Sequence, residues 1–221
     1  MVAAVAGAAA RRHRRLLASP PPFRTTPDFR TRLKKERKTM AVINIHVRHL
    51  AASAAEAGQL LDSLASENDR LWPAPEWPPM RFDRPLGVGA AGGHGPVRYT
   101  VEQYEPGRWV RFRFTGPRGF DGFHELTVQP TPDGGVDLIH LLAMHARGPA
   151  RLTWPLAYRW MHDACLEDSF DRAERALTGS VRRPARWSLP VRGLRWLADR
   201  AMGPDSPESE SASAATVSTV G

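Results

Sequence analysis

The sequence predicts an α+β domain in which a curved antiparallel sheet receives one face of a long C-terminal helix. Three observations lead there. From Pro155 to Leu177, residues Tyr158, His162, Cys165, Leu166, Ser169, Phe170, Ala173, Ala176 and Leu177 share one side of a 3.6-residue wheel, and Asp163, Glu167, Asp168, Asp171, Glu174 and Arg175 share the other. Five or six strand-like segments precede that helix. No other sizeable apolar surface is present to bury its apolar side.

The elements follow in order. Ala41 to His49 alternates, with Ile43, Ile45 and Val47 on one side and Asn44, His46 and Arg48 on the other, the period of a half-buried strand. Ser53 is an N-cap for a helix over Ala54 to Ala65, and Glu56 completes a capping box. Leu71 to Pro79 interleaves Pro73, Pro75, Pro78 and Pro79 with Trp72 and Trp77, which forbids a helix and implies an aromatic-anchored loop. Met80 to Asp83 is a short strand.

Val97 to Tyr104, the turn Glu105-Pro106-Gly107 and Arg108 to Thr115 form a hairpin, with Val110, Phe112 and Phe114 alternating against Trp109, Arg111 and Arg113. Phe120 to Gln129 continues it, His124, Leu126 and Val128 sharing a face. After the loop at Pro132 to Gly135, Val136 to His145 is mostly apolar and therefore central. Thr153 is placed to cap the long helix and Pro155 to open it. Past Gly179, Ser180 to Arg200 carries six arginines among Trp187, Leu189, Leu194, Trp196 and Leu197; Pro190 and Gly193 are expected to keep any helix there short. The last twenty or so residues are rich in Ser, Ala and acid, the composition of disorder.

These elements resemble the helix-grip fold of the START-like and polyketide-cyclase-like (SRPBCC) superfamily. The resemblance is carried by Ala41 to Ala65, the Leu71 to Pro79 loop, the hairpin run through Phe120-Asp-Gly-Phe-His-Glu-Leu126, and the helix ending Phe170-Asp-Arg-Ala-Glu-Arg-Ala-Leu177. It covers residues 40 to 178. It implies a sheet curled around the last helix with an apolar cavity between them, and a function of binding lipids, hormones or polyketides or of catalysing cyclisation or dehydration. No catalytic motif is shared, so no catalytic residue carries over.

Charge and composition narrow the function. Residues 1 to 39 hold 11 Lys and Arg against two acids, leaving 20 basic and 21 acidic residues in the remainder. The high pI of 10.6 therefore belongs to the leader, and nucleic acid is not an expected partner of the domain. The leader is expected to be disordered or translated upstream sequence, with Met40 the candidate true start, and residues 179 to 221 to form an extension and tail. The single cysteine, Cys165, lies on the helix's apolar face and fits a reducing, cytoplasmic setting. No run of about 18 apolar residues suggests a membrane span.

Gly87, Gly89 and Gly92 satisfy G-x-G-x-x-G, but a strand rather than a helix N-terminus follows, so a glycine-rich loop near the cavity mouth, with His94, is expected in place of a nucleotide site. His46 and His49 fall on opposite strand faces, as do His140 and His145, and there is no HExxH or cysteine pair. Neither a metal site nor a cofactor is predicted.

The candidate ligand contacts are polar or aromatic residues on faces that should be buried: Tyr99, Phe112, Phe114, His124, His140, Tyr158 and His162. The competing reading, favoured for any one of them taken singly, is a satisfied core residue, and for the whole chain a non-enzymatic domain whose core is filled by its own side chains. The expected partner is a hydrophobic small molecule. For catalysis, His124 or His162 would act as acid or base, for instance abstracting a proton alpha to a ketone. No orienting carboxylate is expected beside them, because Glu125 and Asp163 are their sequence neighbours and should point elsewhere. The Arg/Trp stretch 180 to 200 suits both packing on the domain and weak contact with an anionic membrane surface through Trp187 and Trp196.

Overall fold

The first strand, β1 (Thr39–Leu50), pairs with the last, β7 (Val136–Arg147), so the two ends of the strand run meet side by side. Between them in sequence come β2 (Arg81–Phe82), β3 (Ala91–His94), β4 (Val97–Glu105), β5 (Trp109–Gly116) and β6 (Phe120–Pro130). All seven form one antiparallel sheet in the order β1-β7-β6-β5-β4-β3-β2. Irregular register between β4 and β5, at Arg98/Tyr99 and Val101/Gln103, supplies the local bending that a curled sheet needs. The structure is a computed structural model and describes residues 39–74 and 76–202; the expectations for the leader and for the final tail lie outside them.

The alternating pattern finds the right strands and, on β5, β6 and β7, the right faces. Val110, Phe112, His124, Leu126, Leu138, His140 and Leu142 are all buried on the concave side. On β1 the faces are reversed from what apolarity suggests. Ile43, Ile45 and Val47 are 74 %, 59 % and 55 % exposed, while Asn44, His46 and Arg48 point inward. The reason is the partner: inside the edge strand lies the acidic flank of the last helix, so the polar side is the complementary one.

Helix α1 (Ala54–Asp62) carries the expected capping box, Glu56 N donating to Ser53 Oγ and Ser53 N to Glu56 Oε2. It ends three residues earlier than predicted, and Ala65 takes a left-handed φ of 61°. There Asp69 accepts hydrogen bonds from the backbone of Ala65, Leu71 and Trp72 and turns the chain into the proline-rich loop. Gly58 lets α1 press against Gly107 in the β4–β5 turn; a Cβ there would overlap that backbone. Asp62 joins the same contact, accepting from Tyr104 Oη and Gly107 N at 2.8 Å each.

The long helix starts earlier than predicted and by different means. It opens at α2 (Ala150–Thr153), passes through a π-turn over Trp154–Tyr158 and continues as α3 (Arg159–Thr178). Thr153 makes no capping hydrogen bond; Pro155 lies within the wide turn, which accommodates its missing N–H. Gly179 ends α3 in the left-handed conformation. On the predicted apolar face Cys165 to Ala173 are buried, but Ala176 is exposed. The Arg/Trp segment forms a 14-residue helix, α4 (Leu189–Met202). Pro190 sits in its first turn, where proline is tolerated, and Gly193 does not stop it. No helix among the described residues is long and apolar enough to cross a membrane.

Candidate functional site

Between the concave face of β5, β6 and β7 and the inner face of α3 lies a cavity of about 480 Å³, within the size range of small-molecule sites. The sheet contributes Phe112, Phe114, His124, Leu126, His140 and Leu142. The π-turn and α3 answer with Trp154, Tyr158, Met161, His162, Cys165 and Ser169. The proline-rich loop supplies Trp72, Trp77 and Met80, and α4 closes one side with Leu194 and Ala198. That helix is held by a shared acceptor: Trp77 Nε1 and Trp187 Nε1 both donate to Asp168 Oδ2 at 2.7 Å. Arg195 stacks on both indoles.

The wall is almost wholly apolar, and its polar groups are chiefly imidazoles. His124 is stacked between Phe112 and Phe114, ring centroids 4.8 and 5.1 Å away. Its Nδ1 lies 3.3 Å from His140 Nε2, one of the two nitrogens donating to the other. His140 meets His162 edge-on at 5.0 Å, and His162 meets His46 at 6.0 Å. Four imidazoles thus run from the sheet's centre to its edge. Burial holds His124 and His140 well below the ordinary histidine pKa, so both are neutral. Burial also pushes His94, packed against Trp72 and Tyr99, down to about 3.

At the edge end, β1 presents Asn44, His46 and Arg48 to the acids of α3. Asp163 Oδ1 accepts from Asn44 Nδ2 at 2.9 Å and lies 3.2 Å from His46 Nε2 and 3.4 Å from His162 Nδ1. His46 Nδ1 faces Glu167 Oε1 at 2.8 Å. Arg48 contacts Glu167, Asp171 and Glu174 at 3.0, 2.9 and 2.8 Å. Burial opposes a charge on His46, but its hydrogen bonds to Asp163 and Glu167 win and raise its pKa to about 9. Burial likewise opposes ionisation of Asp163, yet hydrogen bonds from His162, His46 and Asn44 keep its carboxyl well below the usual carboxylate range. The His162 imidazole goes the other way, lowered by burial against the pull of Asp163. Its Nε2 is buried with no hydrogen-bond partner among the described residues.

Of the seven candidate ligand contacts, Phe112, Phe114, His124, His140, Tyr158 and His162 line the cavity. Tyr99 does not: fully buried, it sits behind the wall against Phe82, Phe112 and His124. The expectation that His162 lacks a carboxylate is overturned. Successive helix residues project about 100° apart, and at a helix flanked by both sheet and edge strand that suffices for His162 to face the cavity while Asp163 reaches its Nδ1. The glycine-rich segment is not merely a loop, since Ala91–His94 forms β3 and brings His94 to the cavity. Sequence reasoning missed the wall from the proline-rich loop and from α4, and the trio His46, His162 and Asp163.

No protein-family model and no curated protein matches the chain. Solved structures do. Norcoclaurine synthase from Thalictrum flavum superposes with a TM-score of 0.50 at 14 % identity, over 65 % of this chain and 90 % of that one. Its complex with dopamine and hydroxybenzaldehyde gives 0.51 at 13 % identity over the same shares. The di-domain ARO/CYC StfQ from the steffimycin biosynthetic pathway gives 0.50 at 14 % identity, over 69 % of this chain and 55 % of that one. At such identities the likeness is one of fold, and that fold is the helix-grip fold of the SRPBCC type.

Proposed function

We propose that this helix-grip domain binds a hydrophobic small molecule, of lipid, polyketide or aromatic character, in the cavity between its sheet and α3. The observation that carries this reading is the composition of the wall: a space of about 480 Å³ enclosed by aliphatic and aromatic side chains, with His94, His124, His140 and His162 as oriented polar groups. Removing apolar ligand surface from water supplies the affinity, and a few imidazole hydrogen bonds supply the orientation. The complex of norcoclaurine synthase with dopamine and hydroxybenzaldehyde supports an aromatic ligand class for a cavity of this kind. Titration of the full chain with the fluorophore 1-anilinonaphthalene-8-sulfonate, whose aromatic rings bind apolar surface, tests it. One saturable site, weakened at least tenfold by Ala157→Trp, which fills the cavity from its half-buried rim, is the expected result; binding unchanged by that substitution contradicts the reading.

A second reading, acid–base catalysis on the bound molecule, is favoured by His162. With Nδ1–H directed at Asp163 Oδ1, 3.4 Å away, the tautomer leaves Nε2 as a buried acceptor with no partner among the described residues, and as a general base it would take a proton from a ligand packed directly against it. His124, wedged between two phenyl rings and engaged with His140, is suited instead to orienting the ligand. The α-hydrogen exchange of acetophenone in D2O, followed by NMR, separates the readings. An acceleration abolished by His162→Gln, with fluorophore affinity retained, supports catalysis; equal exchange with and without protein excludes this chemistry for that ketone class and leaves binding.

A further inference from the structure

We propose that His46, His162 and Asp163 form a binding site for a divalent transition-metal ion of the zinc class. The three come from two rigid elements, β1 and α3, and among the described residues they are the one group of His, Cys, Asp or Glu whose donor atoms all lie within 4.8 Å of one another. The distances have the right size. His46 Nε2 and His162 Nδ1 are 3.2 and 3.4 Å from Asp163 Oδ1. In a tetrahedral site with bonds of about 2.0–2.1 Å, neighbouring donors are separated by roughly 1.6 bond lengths, or about 3.3 Å. Those spacings, at the long end for the hydrogen bonds of the metal-free site, are ordinary for two ligands of one ion.

The donor chemistry agrees. Two imidazole nitrogens and a carboxylate oxygen make the borderline set that zinc and cobalt accept, the ion displacing the proton that His46 Nε2 carries in the metal-free site and releasing it to solvent. The surroundings agree as well. The far nitrogen of His46 faces Glu167 Oε1 at 2.8 Å, and Arg48 holds the other oxygen of that carboxylate at 3.0 Å, the carboxylate support that orients a metal-binding imidazole. Asn44 donates to Asp163 Oδ1 at 2.9 Å while its own Oδ1 is buried without a partner among the described residues. Turning the carboxamide about its axis brings that oxygen to the ion as a fourth donor.

Occupancy has a consequence for the cavity. A metal on His162 Nδ1 requires the Nε2–H tautomer, so the single imidazole proton moves from Nδ1 to Nε2 and that buried nitrogen changes from acceptor to donor. The site itself does not depend on the ligand-binding reading.

The full chain, stripped with a chelator, is titrated with ZnCl2 by calorimetry and with CoCl2 in the visible spectrum. One equivalent of Zn²⁺ binding saturably, and intense four-coordinate Co²⁺ bands displaced by Zn²⁺, are expected. Asp163→Asn and His46→Gln reduce Zn²⁺ affinity at least tenfold, Glu167→Gln by roughly 10–100-fold, and His145→Ala leaves it unchanged. Circular dichroism confirms that each variant is folded. Should one not fold, the wild-type protein answers alone: Zn²⁺ shifts the NMR signals of His46 Nε2 and His162 Nδ1. Absent Zn²⁺ binding, binding indifferent to these substitutions, or shifts confined to other histidines would overturn the proposal.

Discussion

His46 Nε2 and Asp163 Oδ1, 117 residues apart in sequence, stand 3.2 Å from each other where the edge strand meets the last helix. This contact fixes how β1 is turned. It brings the strand's polar side inward and leaves its apolar side to solvent, and through His162 it links the outer ion-pair cluster to the cavity.

The reversed β1 face has a direct test. Ile45→Ser should change unfolding free energy by no more than about 0.5 kcal/mol, as exposed positions do. Phe170→Ala, at a fully buried position of α3, should cost roughly 3–5 kcal/mol. Urea midpoints of the two variants decide the matter, and a large loss for Ile45→Ser would mean that the apolar face of β1 is the buried one.

Arg48 compensates Glu174, which is only 3 % exposed. Removing the guanidinium takes away one of the two arginines that carboxylate meets, the other being Arg182, whose Nε donates to Glu174 Oε1 at 3.0 Å, and Arg48→Met is expected to destabilise the domain by roughly 1–3 kcal/mol. The double variant Arg48→Met/Glu174→Met should recover part of the loss, since the buried Glu174 carboxylate is gone while Asp171 and Glu167 still lack their arginine. A double-mutant cycle in urea measures the coupling.

Asp168 ties α4 to the cavity wall by accepting from Trp77 and Trp187. Asp168→Ala should free both indoles, shift tryptophan emission to the red and raise proteolytic cleavage between residues 180 and 200, with a stability loss of about 2 kcal/mol. Unchanged emission and cleavage would show that α4 is held by other contacts.

Stability should fall on mild acidification. Unfolded histidine takes up a proton near 6.5, whereas native His94, buried against Trp72 and Tyr99 and facing the charges of Arg98 and His162, does so only at about 3. Between those values the unfolded chain binds more protons, so the contribution of His94 is full above pH 6.5 and is lost progressively below it, while that of His46, raised to about 9, is full below pH 6.5. The slope is up to about 1.4 kcal/mol per pH unit for each such imidazole. His124, lowered by burial in the same sense, adds to it. Urea midpoints at pH 7, 6 and 5 follow the effect above the carboxylate range, and His94→Leu should flatten the curve.

Much of this fold is legible in the chain. Alternation located β1 and β4 to β7, the Ser53–Glu56 box located α1, and a 3.6-residue stripe located α3. Alternation carries a period but no sign: which side of an edge strand is buried depends on what packs there, and for β1 that is Asp163, Glu167, Asp171 and Glu174. Half of the site is equally readable. His124, His140 and His162 reveal themselves as polar residues on apolar faces. The His46–His162–Asp163 group does not, because no spacing within one element announces donors brought together from opposite ends of the domain. Helix α4 was hidden by Pro190 and Gly193, whose breaking effect is weak in a first turn and on an exposed surface.

The central claim, a cavity that takes a hydrophobic small molecule, is tested most directly by native mass spectrometry of the purified protein against its denatured mass. The account predicts that the native mass exceeds the denatured mass by that of a bound apolar compound, or that incubation with an apolar aromatic probe produces a one-to-one adduct that Ala157→Trp abolishes. A native mass equal to the denatured mass both before and after such incubation would contradict it.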